Sequence, residues 1–377
     1  MAAIPSDPLR ILHAVRAPVG GIFRHILDLA NGQIERGHHV GILADSLTGG
    51  ERADTALAEL APKLKLGVHR IAIRREPHPA DVLVWPRFSS LIRRLRPHVL
   101  HGHGAKAGVF IRAKGYRPDM IRVYTPHGGS LHYGIDTLRG KVYAGLERAL
   151  MDRTDLFLFE SAFAQNTYQR MVGTPKNLVR CVFNGVTAKE FDPLVMASDA
   201  TDVVYVGEFR FIKGADILVE AIARLRAAGR PVTLTLAGDG EETTALRALC
   251  ETLKLGNAVR FIGHVQARHG FAQGRLLVVP SRGDSMPYVV IEAAAAGAPM
   301  IAANVGGIPE IFGPFTDGLV APNDPQALAD AIAAALDAPE RARERAKELR
   351  ERVFQHFSQR AMVEGVLAGY RDAFAEH

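Results

Sequence analysis

The chain has 377 residues, 47% hydrophobic and 23% charged, a globular composition too long for a single core, so two domains are expected. Its net charge of +6 is uneven: residues 1–190 carry 27 Lys and Arg against 16 Asp and Glu, and the remainder 19 against 24. No run of about 18 apolar residues occurs, which excludes a membrane-spanning helix, and no cationic segment followed by an apolar one marks a secretion signal.

In chain order, an apolar strand over 11–15 runs into the loop RAPVGG and a helix over 22–35. Gly20 and Gly21 at that junction either make a tight turn or let backbone N–H groups approach a phosphate or sugar. A strand over 39–43, a helix over 52–60 and a strand over 68–73 follow. The stretch ADVLVWPRFSSLIRRLRPH then places Val84, Phe88, Leu91, Ile92 and Leu95 at helical spacing, with Arg87, Arg93, Arg94 and Arg96 on the polar side. Such a helix either packs on the sheet with a solvated Arg face or docks on an acidic membrane, with Trp85 near its start. A strand over 99–101 leads into GHGAKAG and a helix reaching residue 114. Gly102, Gly104 and Gly108 imitate a dinucleotide fingerprint, but the spacing is one residue too long and no acidic residue ends a strand about 20 residues on. A strand over 121–124 ends in TPHGG, so His127 stands at a strand end, a place for a site as well as for a structural His. A helix over 141–151 and a strand over 156–160 close this half.

After a polar linker at 192–200 the alternation restarts, with strands over 202–206, 232–237, 259–262, 276–279 and 299–303. Helices are expected over 215–228, 242–255 and 288–296, and two more, over 339–357 and 359–374, end the chain. Strand–helix alternation in both halves predicts two doubly wound α/β domains. GEFRFIKG puts Arg210 and Lys213 on a strand-end loop, where two cations can clamp a diphosphate. The stretch PSRGDSMPYVVIEAAAAGAP holds two acids, Asp284 in the loop and Glu292 one turn into a helix that Gly297 closes and Pro299 stops. Ligands of open parallel sheets bind beyond the carboxyl ends of strands, where helix N-termini present N–H groups to anions. A loop acid there reaches a ligand's reactive end and a helix acid takes hydroxyls further back. The pattern points to a phosphorylated, hydroxyl-rich ligand.

This stretch resembles the signature of the retaining nucleotide-sugar glycosyltransferases of family four: two acids separated by seven residues, an Ala-rich helix, Gly297-Ala298-Pro299, and Gly306-Gly307 followed by Glu310. Asp284 departs from the family's usual Glu by one methylene, with the charge kept. VYTPHG is similar to the family's His-Gly loop, Asn184-Gly185-Val186 to its hinge, and Lys213-Gly214 to its basic loop. In that loop Glu208 stands at the usual Arg position and Arg210 lies two residues later. With the Gly-Gly loop these motifs follow in the family's order over nearly the whole chain.

The resemblance implies a GT-B architecture, two Rossmann-like domains facing across a cleft: residues 1–190 on the acceptor side, 191–357 holding the nucleotide sugar, and 358–377 as a helix crossing back to the first domain. It implies a donor site of Gly21, Arg210, Lys213, Met286, Pro287, Tyr288 and Glu292, with His127, Arg210, Lys213 and Asp284 acting on the transfer and Gly20 and Gly21 on the acceptor side. Retaining, hexosyltransferase-type transfer to a glycan or lipid-linked acceptor in bacterial surface polysaccharide synthesis is the expected activity. A nucleotide-sugar 2-epimerase or a non-catalytic binding protein could share the architecture. No cofactor is expected beyond the donor. No Asp-x-Asp triplet is present, so no metal is expected either. Cys181 and Cys250 form neither a ligand cluster nor a disulfide framework and fit a reducing cytoplasm. The basic first half suggests peripheral contact with an acidic membrane. Nucleic acid is disfavoured, because the basic residues lack interleaved aromatic platforms.

Overall fold

The computed structural model describes residues 7–74, 81–113, 117, 119–128 and 137–376. They form two compact units, one running to Asn184 and resuming at Gln359, the other being Gly185–Ser358.

The first unit alternates strands and helices in the order β1 Arg10–Val15, α1 Gly20–Glu35, β2 His39–Asp45, α2 Gly50–Leu60, β3 Gly67–Ile71, α3 Asp81–Leu95 and β4 Val99–His103. It continues with α4 Ala105–Arg112, β5 Ile121–Thr125, α5 Leu138–Met151, β6 Leu156–Phe159, α6 Ala162–Met171 and β7 Leu178–Cys181. All pairings are parallel, in the order β3-β2-β1-β4-β5-β6-β7. Helices cover both faces, which is why β6 reads as the unbroken apolar run Leu156-Phe157-Leu158-Phe159, all buried.

The second unit holds β8 Thr201–Val206, α7 Ala215–Ala227, β9 Leu234–Ala237, α8 Thr243–Thr252, β10 Val259–Gly263, α9 Ala267–Phe271 and β11 Gly274–Val279. There follow α10 Tyr288–Ala295, β12 Met300–Ala303, α11 Ile308–Phe312, β13 Leu319–Val320, α12 Pro325–Asp337 and α13 Pro339–His356. Its sheet is also parallel, ordered β10-β9-β8-β11-β12-β13.

The last helix, α14 Gln359–Glu376, belongs to the first unit. Its Met362, Val363, Val366, Leu367, Tyr370 and Phe374 are buried against Leu9, Ile11, Val99, Ile121 and Leu156. Gly32 on α1 allows this approach, since a Cβ there would stand 2.5 Å from Val363 Cγ2. No helix among the described residues is long and apolar enough to cross a membrane.

Some element ends differ from the sequence expectation. Helix α1 begins at Gly20, two residues early, with Val19 O accepting from Phe23 N–H. Strand β9 begins at Leu234 rather than 232, because Asp202 Oδ2 accepts from both the backbone N–H and the hydroxyl of Thr233. The strand expected to 73 ends at Ile71 because Asp45 Oδ1 accepts the Ile73 N–H, replacing a sheet partner with a side chain. The helix expected to reach residue 114 ends at Arg112, and 114 itself lies outside the described residues.

Candidate active site

Each sheet has one place where the strand order reverses, and there the loops leaving two neighbouring strands diverge and leave a crevice. In the second unit it lies between β8 and β11. The β8 loop is anchored by Phe209, which is buried and hydrogen-bonded on both sides, donating to Asp239 O and accepting from Glu242 N–H. A 3-10 turn, Phe211–Lys213, then ends at Gly214 with φ of +70°. A Cβ on Gly214 would lie 2.1 Å from Pro280 O, so only glycine lets this loop abut the one leaving β11.

That close approach joins two residues singled out by the sequence. Lys213 Nζ donates to both carboxylate oxygens of Asp284, at 2.8 and 2.9 Å, and Ser281 Oγ donates to Oδ2 at 2.9 Å. Both side chains are largely but not fully buried. Asp284 is held from its other side as well: its carbonyl accepts from Gly307 N–H, and a Cβ on Gly306, whose φ is +60°, would fall 1.6 Å from that carbonyl oxygen. Gly306→Ala must therefore displace Asp284. A shift of about 1 Å in a group acting on the reaction costs about 10²-fold in rate, so, with Asp284 in the role the resemblance implies, kcat of this variant is expected to fall by about that factor. An unchanged kcat would show that the backbone clasp does not position Asp284.

The remaining residues are placed as follows. Met286, Pro287 and Tyr288 are buried at the start of α10, where no side chain caps the helix, and Glu292 lies one turn in, partly buried. Arg210 is not joined to the Lys213–Asp284 pair. It is half exposed and stands 3.6 Å from Glu208 and 3.9 Å from Glu241.

Two residues on this loop escaped the sequence reading. Arg282 donates to Phe211 O and pairs with both Asp216 oxygens, its guanidinium 4.0 Å above the Phe211 ring. Burial pushes the Asp216 carboxyl up, but the bonds and charge of Arg282 outweigh it and hold the group below its usual range. Ser285 Oγ is buried with no hydrogen-bond partner among the described residues, an orphan of the kind a ligand satisfies.

In the first unit the reversal lies between β1 and β4. Gly20, with φ of +57°, and Gly21 open α1 there, both exposed. His127 follows β5 with φ of +52°, a left-handed conformation uncommon outside glycine. Its Nε2 lies 3.0 Å from His103 Nδ1, and it is one of five clustered histidines: His13 on β1, His25 on α1, His101 and His103 on β4, and His127. His13 Nδ1 lies 2.9 Å from His103 Nε2, and its own Nε2 is 2.8 Å from Gln33 Oε1. Burial lowers all five, His13 to about 4 and His25 to about 3, so the rings are uncharged at neutral pH. The sequence signal for this cluster was the alternation His101-Gly102-His103, which puts both rings on one face of a strand.

Comparison with known proteins agrees with this arrangement. Residues 19–190 match the model of the "Glycosyltransferase Family 4" family, and residues 200–338 match that of "Glycosyl transferases group 1". The chain is a family-four glycosyltransferase. It is 26% identical to the glycogen synthase of Mycobacterium tuberculosis over 369 residues, covering 90% of this enzyme and 88% of that one. It is 32% identical over 217 residues to a D-inositol 3-phosphate glycosyltransferase of Catenulispora acidiphila, covering 52% and 51%. Among solved structures, sucrose-phosphate synthase from Thermosynechococcus elongatus superposes with a TM-score of 0.79 at 24% identity, covering 98% and 100% of the two chains. Anabaena HepE in complex with UDP-glucose gives 0.77 at 19%, covering 96% and 98%. WaaG, a glycosyltransferase involved in lipopolysaccharide biosynthesis, gives 0.69 at 17%, covering 95% and 98%. The glycosyltransferase thus has the GT-B fold class, built on its two parallel sheets.

Proposed function

We propose that this enzyme moves a hexosyl group, with retention and without a metal on the diphosphate, from a nucleoside-diphosphate sugar held by residues 191–357 to a glycan or lipid-linked acceptor served by residues 1–190. The observation that carries the reading is the Lys213–Asp284 pair at the strand-order reversal of the second sheet. Without a donor, each charge of that pair compensates the other. A diphosphate offers Lys213 a stronger anionic partner, and Asp284 is then released toward sugar hydroxyls. Arg210, Lys213 and the first turn of α10 around Met286, Pro287 and Tyr288 are assigned to stabilise the charge that builds as the diphosphate departs. Glu292 is assigned to the ribose and Ser285 to a further polar group of the donor. Gly20, Gly21 and His127 are assigned to the transferred sugar and the acceptor. The UDP-glucose complex of HepE favours a UDP-hexose, and the glycogen synthase and WaaG likenesses favour a saccharide acceptor, including one of the bacterial surface. Thermal shifts with UDP-, GDP- and ADP-sugars test the assignment, since a ligand of the native state raises apparent stability. One nucleotide class is expected to raise the midpoint, and magnesium at millimolar concentration to leave the transfer rate unchanged. No shift with any donor would contradict the reading.

A lipid-linked acceptor would bring the enzyme to a membrane surface, and α3 is the proposed contact. Val84, Phe88, Leu91 and Ile92 are buried, while Arg87, Arg93, Arg94 and the following Arg96 are exposed, with Val82 and Leu83 exposed beside them. Sedimentation with vesicles of acidic lipid is expected to pellet the enzyme at low salt and to lose it as salt screens the attraction. Sedimentation is preferable to fluorescence here, because Trp85 already packs 5.0 Å from Phe110. Changing the four arginines to Gln should abolish pelleting while leaving transfer to a soluble acceptor analogue intact. Equal pelleting by the quadruple variant would assign α3 to packing alone.

A further inference from the structure

The five histidines of the first unit are more than one sugar-facing loop needs, and their hydrogen bonds sort them. His101 uses both ring nitrogens, Nδ1 at 2.8 Å from Tyr370 Oη and Nε2 at 2.8 Å from Thr125 Oγ1, which fixes it as a structural ring. His25 holds Asn184 Oδ1 through Nδ1 at 2.9 Å, which leaves Nε2 for another partner. His103 directs Nε2 at His13 Nδ1, and the opposite nitrogen of His13 meets Gln33 Oε1. With Gln33 accepting from His13 and His13 accepting from His103, the lone pair of His103 lies on Nδ1. That atom is the one facing His127 Nε2. One nitrogen each from His25, His103 and His127 lies within 4.8 Å of the other two.

We propose that His25, His103 and His127 form a binding site for a divalent first-row metal ion of the zinc type, unrelated to the diphosphate clamp. Three neutral imidazoles suit such ions far better than magnesium or calcium, which prefer oxygen. A three-His set leaves a fourth position for water or a ligand oxygen. Two of the rings also carry the outer support that metal-bound histidines need: a ring N–H given to a carbonyl, directly on Asn184 for His25, and through His13 to Gln33 for His103. The ion would tie three separate elements together, α1 through His25, β4 through His103 and the turn after β5 through His127. It would also hold His127 in its left-handed turn. The inference stands on these residues alone and does not depend on which donor the second unit binds.

The test uses the full chain without an affinity tag. Elemental analysis of enzyme grown with zinc should give about one equivalent bound, and chelator-treated enzyme titrated with cobalt should develop the visible absorption of a low-coordinate ion at one equivalent. His25→Gln and His103→Gln should lose both signals, whereas His69→Gln, on β3, should keep them. Asn184→Ala should weaken zinc by about 10–100-fold, the usual cost of removing a ligand's outer partner. Because a variant of a buried ring could fail to fold, wild-type zinc affinity measured against a chromophoric chelator is decisive by itself. Absence of stoichiometric zinc and of the cobalt band in folded wild type overturns the proposal and leaves the rings as a hydrogen-bonded chain. Metal uptake retained by both folded His variants overturns it as well.

Discussion

Lys213→Ala is expected to lower kcat by roughly 10²–10³-fold, the usual effect of deleting one preorganised stabiliser of transition-state charge. The structure adds a second component to this loss. Lys213 is the cation on Asp284, and its removal leaves a mostly buried carboxylate that keeps the Ser281 hydroxyl as a donor but has lost its compensating charge, which would repel the diphosphate of the proposed donor. Donor affinity should therefore fall together with kcat. Lys213→Ala combined with Asp284→Asn should recover part of the affinity, because the uncompensated negative charge is gone, but none of the rate. Initial rates at saturating donor and calorimetric titration separate the two effects. A single variant with wild-type kcat would remove Lys213 from the machinery, and a double variant no better than the single would show that the pair is incidental to binding.

Arg112→Met is expected to destabilise the first unit by about 3–5 kcal/mol, the range seen when one partner of a buried ion pair is removed. Arg112 is fully buried on α4, donating to Glu147 Oε2 at 2.8 Å and to Gly108 O at 2.8 Å, with its guanidinium 3.7 Å above the Tyr124 ring. Tyr124 donates its hydroxyl to the other Glu147 oxygen at 2.7 Å. Methionine would fill much of the volume but leave the buried Glu147 charge without its cation, with the Tyr124 hydroxyl still donating to it. Adding Glu147→Leu to Arg112→Met should restore much of the loss, since an apolar pair of similar volume often replaces a buried ion pair without net cost. Denaturant unfolding followed by hydrogen exchange in α4 and α5 reads the effect. A loss below about 1 kcal/mol would show that water reaches the pair.

The fold was legible because parallel strands buried on both faces appear as short apolar runs between amphipathic helices, and both sheets follow that pattern. What escaped was set by side chains bonding to backbone. Helix α12 starts where Asp324 accepts from the Gln326 and Ala327 N–H groups and Pro325 takes the first helical position, a signal present in the sequence but overlooked. Strand β13 has two residues, too few for any pattern to emerge. Within the site, the motif order pointed to Lys213 and Asp284 separately. Their bonding to each other depends on glycines at 214 and 306 placing three loops in contact, which no spacing along the chain encodes. Arg282 escaped notice because its partner Asp216 stands on α7, far earlier in the chain. The histidine cluster draws on four separate elements, so only tertiary structure could assemble it.

Retaining hexosyl transfer from a nucleoside-diphosphate sugar is the proposed activity. Its most direct measurement is proton NMR of UDP-, GDP- and ADP-hexoses incubated with enzyme and no acceptor, where water serves as a slow acceptor. One donor class should be consumed and free sugar should appear first as the α-anomer, with Lys213→Ala abolishing the release. Release of the β-anomer first, or no consumption of any donor by the folded enzyme, would contradict it.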